Sequence, residues 1–129
     1  MTIVRVVYIE DHHLTRLGLQ TALQQDGTGI KIVGLAQNGE DGLEQLQNLL
    51  PDVALIDIGL PTIDGIELTR RFREFQSTLE GDIQGHTKIV MLTMQGDKSS
   101  VLAAFAAGAD SYCMKTISPE QLIEVIHTT

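Results

Sequence analysis

Five short strand-like runs, four of them rich in branched aliphatic residues, alternate with stretches that carry apolar residues at helical spacing. The runs are residues 3–9, 30–36, 53–57, 88–92 and 111–114. The first four are rich in Val, Ile or Leu, the fifth is Ser-Tyr-Cys-Met, and each reads as a short strand; 53–57 lacks alternation, as expected of a strand buried on both faces. The first breaks at Glu10-Asp11, the third ends in Asp57, the fourth at Thr93 and the fifth at Lys115.

The intervening stretches predict helices. Leu14, Leu17, Gly18, Thr21 and Ala22 fall on one face of the first, which runs out near residues 26–29. Asn38 is the expected cap of the second, with Leu43, Leu46 and Leu50 as its buried stripe before Pro51. Asp64 with Glu67 opens the third in capping-box spacing, and Leu68, Phe72 and Phe75 mark its apolar side. Residues 76–87 are irregular and predict a frayed helix end and a long loop. Asp97 caps a fourth helix through Ala107, with Val101, Leu102 and Phe105 as its bulkier apolar residues. Ser118-Pro119-Glu120-Gln121 starts the last helix, whose Leu122, Ile123 and Ile126 face the core. Strand–helix alternation requires crossover connections, hence a parallel sheet with helices on both faces. The predicted fold is α/β: a flavodoxin-like doubly wound five-stranded parallel sheet, order 2-1-3-4-5, with five helices. Its switch point lies between the first and third strands, where ligands of such sheets bind.

An aspartate at one strand end is ordinarily a loop residue or a cap. Here four strand ends deliver Glu10 and Asp11, Asp57, Thr93 and Lys115 to one crevice. Clustered carboxylates repel unless a cation sits among them. An all-oxygen set suits a hard ion such as Mg²⁺, and the set holds no Cys or spaced His pair for zinc. Thr93 offers a hydroxyl and Lys115 a point charge for a phosphoryl group or carboxylate. A carboxylate nucleophile, a divalent cation, a lysine and a hydroxyl together describe phosphoryl transfer to an aspartate.

Composition narrows the setting. The 129 residues suffice for one domain, and no apolar run approaches a membrane span. Residues 1–9 lack a small-residue cleavage site, which argues against a signal peptide. The single cysteine, Cys113, excludes an internal disulfide, has apolar neighbours that favour an inert buried thiol, and fits a reduced, cytoplasmic setting. A net charge of −8 argues against gripping nucleic acid or anionic lipid directly. Competing α/β chemistries lack their residues. The loop after the first strand opens with two acids rather than flavin-binding hydroxyls, Gly59 stands where a haloacid-dehalogenase-like phosphatase needs a second aspartate, and no glycine-rich nucleotide motif occurs.

In their order and register, Glu10-Asp11, Asp57-Ile58-Gly59-Leu60-Pro61 with Asp64-Gly65, Thr93, and Gly108-Ala109-Asp110-Ser111-Tyr112-Cys113-Met114-Lys115 resemble the receiver domain of bacterial two-component response regulators. The likeness spans essentially the whole chain, 1–129. The segment from Glu10 to Leu19 and the one from Ser111 to Lys115 are similar to the NarL/FixJ subfamily. The resemblance implies that Asp57 accepts a phosphoryl group from a histidine kinase, and that Asp11, Asp57 and the Gly59 carbonyl ligate Mg²⁺ with Glu10 acting through water. It implies that Lys115 pairs with Asp57 and then with the phosphoryl oxygens, and that Thr93 and Tyr112 form a switch toward the face of the fourth helix, fifth strand and fifth helix.

Two departures stand out. Met94 replaces the usual small residue after Thr93, and its bulk is expected to shield the phosphoryl group from water. Thr116 replaces the frequent proline after Lys115, and a cis bond before a non-proline residue costs about 3 kcal/mol. His12 and His13 are adjacent, make a poor chelating pair, and are expected to cap or pack. The implied output is transcription control through a DNA-binding effector domain absent from this chain, whose end directly after the last helix looks like a domain boundary. Homodimerisation through the fifth-strand face or the first and last helices is compatible with the pattern. The alternative is a phosphorylation-independent pseudo-receiver, an interaction module separable from the first reading by phosphoryl uptake. A small phosphatase, which would turn over an external phosphoester, ranks third.

Overall fold

The structure is a computed structural model that describes residues 3–79, 87–94 and 96–129. In chain order it contains β1 (Val4–Ile9), α1 (His13–Leu23), β2 (Ile30–Ala36), α2 (Gly39–Leu49), β3 (Val53–Asp57), α3 (Gly65–Ser77), β4 (Lys88–Thr93), α4 (Lys98–Ala107), β5 (Ser111–Met114) and α5 (Pro119–Thr128). The five strands are all parallel in the order β2-β1-β3-β4-β5, as the alternation predicts. The β1–β2 register shifts between Val6 and Val7.

Alternate residues of each strand face opposite sides of the sheet, so one strand feeds two cores. Val7, Ile9, Ala54, Ile56, Ile89 and Met91 pack on one side with Leu46, Leu68 and Phe72 of α2 and α3. Val6, Tyr8, Val53, Leu55, Val90 and Leu92 pack on the other with Leu23, Leu122 and Ile126 of α1 and α5. β3, paired on both edges, is buried along its whole length. Each of its larger aliphatic side chains contributes about 1.5–3 kcal/mol by burial.

The four expected caps form. Asn38, Asp64, Asp97 and Ser118 accept hydrogen bonds from the backbone N–H groups of Asp41, Glu67, Ser100 and Gln121. Glu67 completes no reciprocal box; its carboxylate pairs with Arg70 and Arg71.

α1 departs from expectation. Leu14 and Leu17 are 81% and 49% exposed, and Gly18 and Thr21 are exposed as well. The helix instead turns Arg16, Leu19 and Leu23 inward, with an Arg16 guanidinium N–H donating to the Glu10 carbonyl at 2.8 Å. The Arg16 hydrogen bond back to the end of β1 and the packing of Leu19 and Leu23 against the sheet thus override the more apolar stripe. On α4 only Ala104 is buried, while Leu102 and Phe105 are exposed. α3 ends at Ser77, inside the stretch predicted to begin with a helix end; residues 80–86 lie outside the described residues. The peptide after Lys115 is trans. Cys113 is buried, and burial pushes its thiol pKa up, as expected of an inert thiol.

Candidate functional site: the acidic crevice at the sheet edge

Backbone pairing continues beyond three strands and positions the residues that follow. Glu10 N–H donates to Ala36 O at 3.0 Å, Ile58 N–H to Leu92 O at 2.9 Å and Lys115 N–H to Thr93 O at 2.7 Å. Strand parity then decides which side chains meet. Glu10 follows Val6 and Tyr8, Asp57 follows Val53 and Leu55, and Lys115 follows Cys113, all on the α1–α5 side of the sheet. The three converge. Lys115 Nζ lies 2.7 Å from Glu10 Oε1 and 3.1 Å from Asp57 Oδ2.

Thr93 and Tyr112 have the opposite parity. Thr93 is buried at the end of β4, and Tyr112 is half-buried against the α2–α3 cluster. Tyr112 pairs with Met91 and Met114 with Thr93, so Tyr112 stands one strand over and one step back from Thr93 on their shared face.

The turn after β3 is held tightly. Gly59 N–H donates to Asp57 Oδ1 at 3.0 Å, and Gly65 N–H donates to Ile58 O at 2.9 Å. A Cβ at Gly65 would sit 2.3 Å from the Asp57 carbonyl oxygen, so only glycine lets α3 start this close to the strand end. Above Asp57 opens a crevice of about 260 Å³ lined by His12, Asp57, Gly59, Thr93, Met94 and Lys115.

The electrostatics follow from burial. Glu10 and Asp57 are almost inaccessible to solvent. Burial pushes the Asp57 carboxyl pKa up; the Gly59 N–H pulls it down, the Glu10 carboxyl raises it again, and Lys115 lowers it, with a net upward shift. For Lys115, burial alone would pull the ammonium pKa down, but its contacts with Glu10 and Asp57 outweigh this and hold it up. Two buried carboxylates therefore share one ammonium, and a third, Asp11, stands beside them.

The donor set fits a hard cation. Glu10, Asp11, His12 and Asp57 each bring a ligand atom within 4.8 Å of the others. Asp11 Oδ1 is shielded from solvent and accepts no hydrogen bond, as an oxygen reserved for a cation would be. The structure brings together Glu10, Asp11, Asp57, Gly59, Thr93 and Lys115, with Tyr112 adjacent on the other face. Sequence reasoning missed His12. Its side chain makes no cap hydrogen bond and is largely exposed, and its Nδ1 sits 3.3 Å from Glu10 Oε2 and 3.4 Å from Asp11 Oδ1. The expected capping or packing role is thus not what its side chain does. His13 likewise neither caps nor packs, but faces solvent with Nδ1 3.2 Å from an Arg16 guanidinium nitrogen. Its position directly after the two acids was the available signal for His12.

Residues 6–127 match the family described as the response regulator receiver domain. The chain belongs to the response regulator receiver family. Among curated relatives, the nitrate/nitrite response regulator NarL of Escherichia coli K12 is 32% identical over 95% of this chain and 52% of its own. The response regulator VraR of Staphylococcus saprophyticus is 30% identical over 98% of this chain and 56% of its own, and UvrY of Escherichia coli K12 is 33% identical over 97% and 53%. This receiver chain thus spans about half the length of the curated relatives it matches. Among solved structures, the signal receiver domain of a NarL from Mycobacterium tuberculosis superposes with a TM-score of 0.88 at 28% identity, covering 99% of this chain and 96% of that one. A LuxR-family two-component response regulator from Aurantimonas gives 0.85 at 26% identity, with 98% and 84% covered. Among the described residues of the receiver, no helix is long and apolar enough to cross a membrane.

Proposed function

We propose that the chain, residues 1–129, is a phosphorylation-switched receiver domain in which Asp57 accepts a phosphoryl group from the phosphohistidine of a histidine kinase. The observation that carries this reading is the buried Asp57 carboxylate, held between the Lys115 ammonium and the Gly59 N–H at the mouth of the acidic crevice. Lys115 and Gly59 N–H fix the nucleophile's orientation, and Lys115 is placed to follow charge from the carboxylate to an incoming phosphoryl oxygen. Asp11, Asp57 and the Gly59 carbonyl would hold Mg²⁺, with Glu10 contributing through water. The ion would supply charge neutralisation for the phosphoryl oxygens. Thr93 donates its hydroxyl to the modified group and vacates space on the face it shares with Tyr112, which moves inward and relays the change toward α4, β5 and α5.

The chemistry is confined to the domain's own Asp57 in a cytoplasmic setting: a phosphoryl group leaves the kinase histidine for the carboxylate and is later transferred to water, which releases phosphate. By analogy with its NarL-type relatives, the output is transcription control through a DNA-binding domain, and a homodimer is one route to it.

Intact mass after incubation with a small phosphodonor and Mg²⁺ tests the reading, beside Asp57→Asn and a metal-chelated control. A gain of one phosphoryl group by the wild type alone is expected. No gain in a folded wild type, also with phosphorylated cognate kinase, would turn the assignment to a phosphorylation-independent interaction module.

A further inference from the structure

Tyr8 lies two residues before Glu10, on the same sheet face, and has no solvent exposure. Its hydroxyl has no hydrogen-bond partner in the protein. A buried tyrosine hydroxyl ordinarily finds one, and leaving it unpaired costs about 1–3 kcal/mol. Tyr8 borders a cavity of about 80 Å³ lined by residues of the sheet, α1 and α5, beside the acidic crevice and partly open to solvent. Glu10, Lys115 and Thr15 line the same cavity, and Leu19 and Leu122 supply apolar wall. Burial, then the Glu10 and Asp57 charges, push the phenol pKa up, which keeps it a neutral donor.

The cavity has the composition of a water site. One buried water needs roughly 10–15 Å³ of such space and two to four polar partners. This space exceeds that, and its polar partners are a phenol, a carboxylate, an ammonium and a hydroxyl. A bare ion would lose hydration that the leucines cannot replace, whereas a neutral water loses far less and regains hydrogen bonds from the polar lining.

We propose that this cavity is a water site in which water accepts the Tyr8 hydroxyl hydrogen and donates to the Glu10 carboxylate, making Tyr8 a positioning residue for the acidic cluster. Glu10 is then held from three directions: by Lys115 at Oε1, by His12 N–H at Oε2 and by the water from the cavity. The metal-linked part of this inference rests on the reading of Glu10, Asp11 and Asp57 as a Mg²⁺ site.

High-resolution crystal structures of the metal-free wild type and Tyr8→Phe, together with Mg²⁺ titrations of both, test it. Phenylalanine keeps the ring, so the variant is expected to fold with a nearly unchanged melting temperature. The wild type should show ordered water within hydrogen-bonding distance of Tyr8 Oη and Glu10. In Tyr8→Phe that water should be lost or displaced, the Glu10 carboxylate should turn, and Mg²⁺ should bind about tenfold more weakly, as with loss of other outer-shell partners. A wild-type cavity without water, or a variant with the same Glu10 orientation and the same Mg²⁺ affinity, would overturn the proposal. A wild type that binds no Mg²⁺ would instead sink the metal reading, and the water and the Glu10 orientation would then decide the inference by themselves.

Discussion

Asp57 is held in an environment that disfavours its charge, because it is buried beside Glu10 and shares Lys115 with it. Its folded pKa lies above that of the unfolded chain. Between those two values the folded state binds more protons than the unfolded one, so stability falls as pH rises through that window. Above it the full penalty of ionised Asp57 is present. Metal-free Asp57→Asn should therefore melt higher than wild type at neutral pH, and the gap should close as pH falls toward the ordinary carboxyl range. Thermal melts of both proteins across that range provide the measurement, and a gap independent of pH would contradict the burial argument. Met94 makes a different prediction at the same scale. Its exposed side chain lines the crevice over Asp57, as the shielding idea requires. Met94→Ala is expected to shorten the phosphoryl lifetime a few-fold in a dephosphorylation time course. Equal lifetimes would remove shielding as its role.

At the edge of the sheet opposite the crevice, one side chain ties several elements together. Arg73 of α3 donates to the Gly108 carbonyl at 3.0 and 2.8 Å, to the Thr87 carbonyl at 2.8 Å and to Asp110 Oδ2 at 2.8 Å. Asp110 Oδ2 also accepts from Ile89 N–H at 2.8 Å. This fork joins α3 to the entry of β4 and to the C-terminal end of α4, where Gly108 takes the left-handed conformation. Truncating it leaves two backbone carbonyls and the Asp110 carboxylate short of donors. Arg73→Ala should cost about 2–3 kcal/mol in chemical denaturation, since hydrogen bonds from charged groups are among the stronger ones. Arg73→Lys should recover little, because an ammonium cannot span the same planar set of acceptors. Helix orientation is the other lesson at this scale. α1 buries Leu19 and Leu23 and leaves Leu14 and Leu17 outside, so the apolar period located the helix but not its inward face.

The whole molecule carries a net charge of −8. That field attracts a divalent cation to the acidic crevice and is screened by salt, with a Debye length near 10 Å at 0.1 M and about 3 Å at 1 M. Mg²⁺ affinity should therefore weaken several-fold between low and near-molar NaCl when measured by titration. Affinity unchanged by salt would confine the attraction to the buried ligands alone. Binding also links to folding. At a Mg²⁺ concentration one hundred times its Kd, the domain should gain about 2.7 kcal/mol of stability, less any binding to the unfolded chain.

Alternation of aliphatic runs with amphipathic stretches determined the α/β class, and with it the parallel sheet and the placement of Asp57 at a strand end. These are local properties: period, caps and breakers act over a few residues, and Asn38, Asp64, Asp97 and Ser118 all cap as their spacing predicts. The residue types at the strand ends, read in order, also carried the family. Tertiary structure decided the rest. Parity within the assembled sheet put Glu10, Asp57 and Lys115 on one face and Thr93 and Tyr112 on the other. It turned α1 about its axis, brought His12 to the acids and left the Tyr8 hydroxyl facing a cavity beside them. Period fixes only which residues of one strand share a face; the partners each side chain meets come from distant strands and helices, and packing selects them.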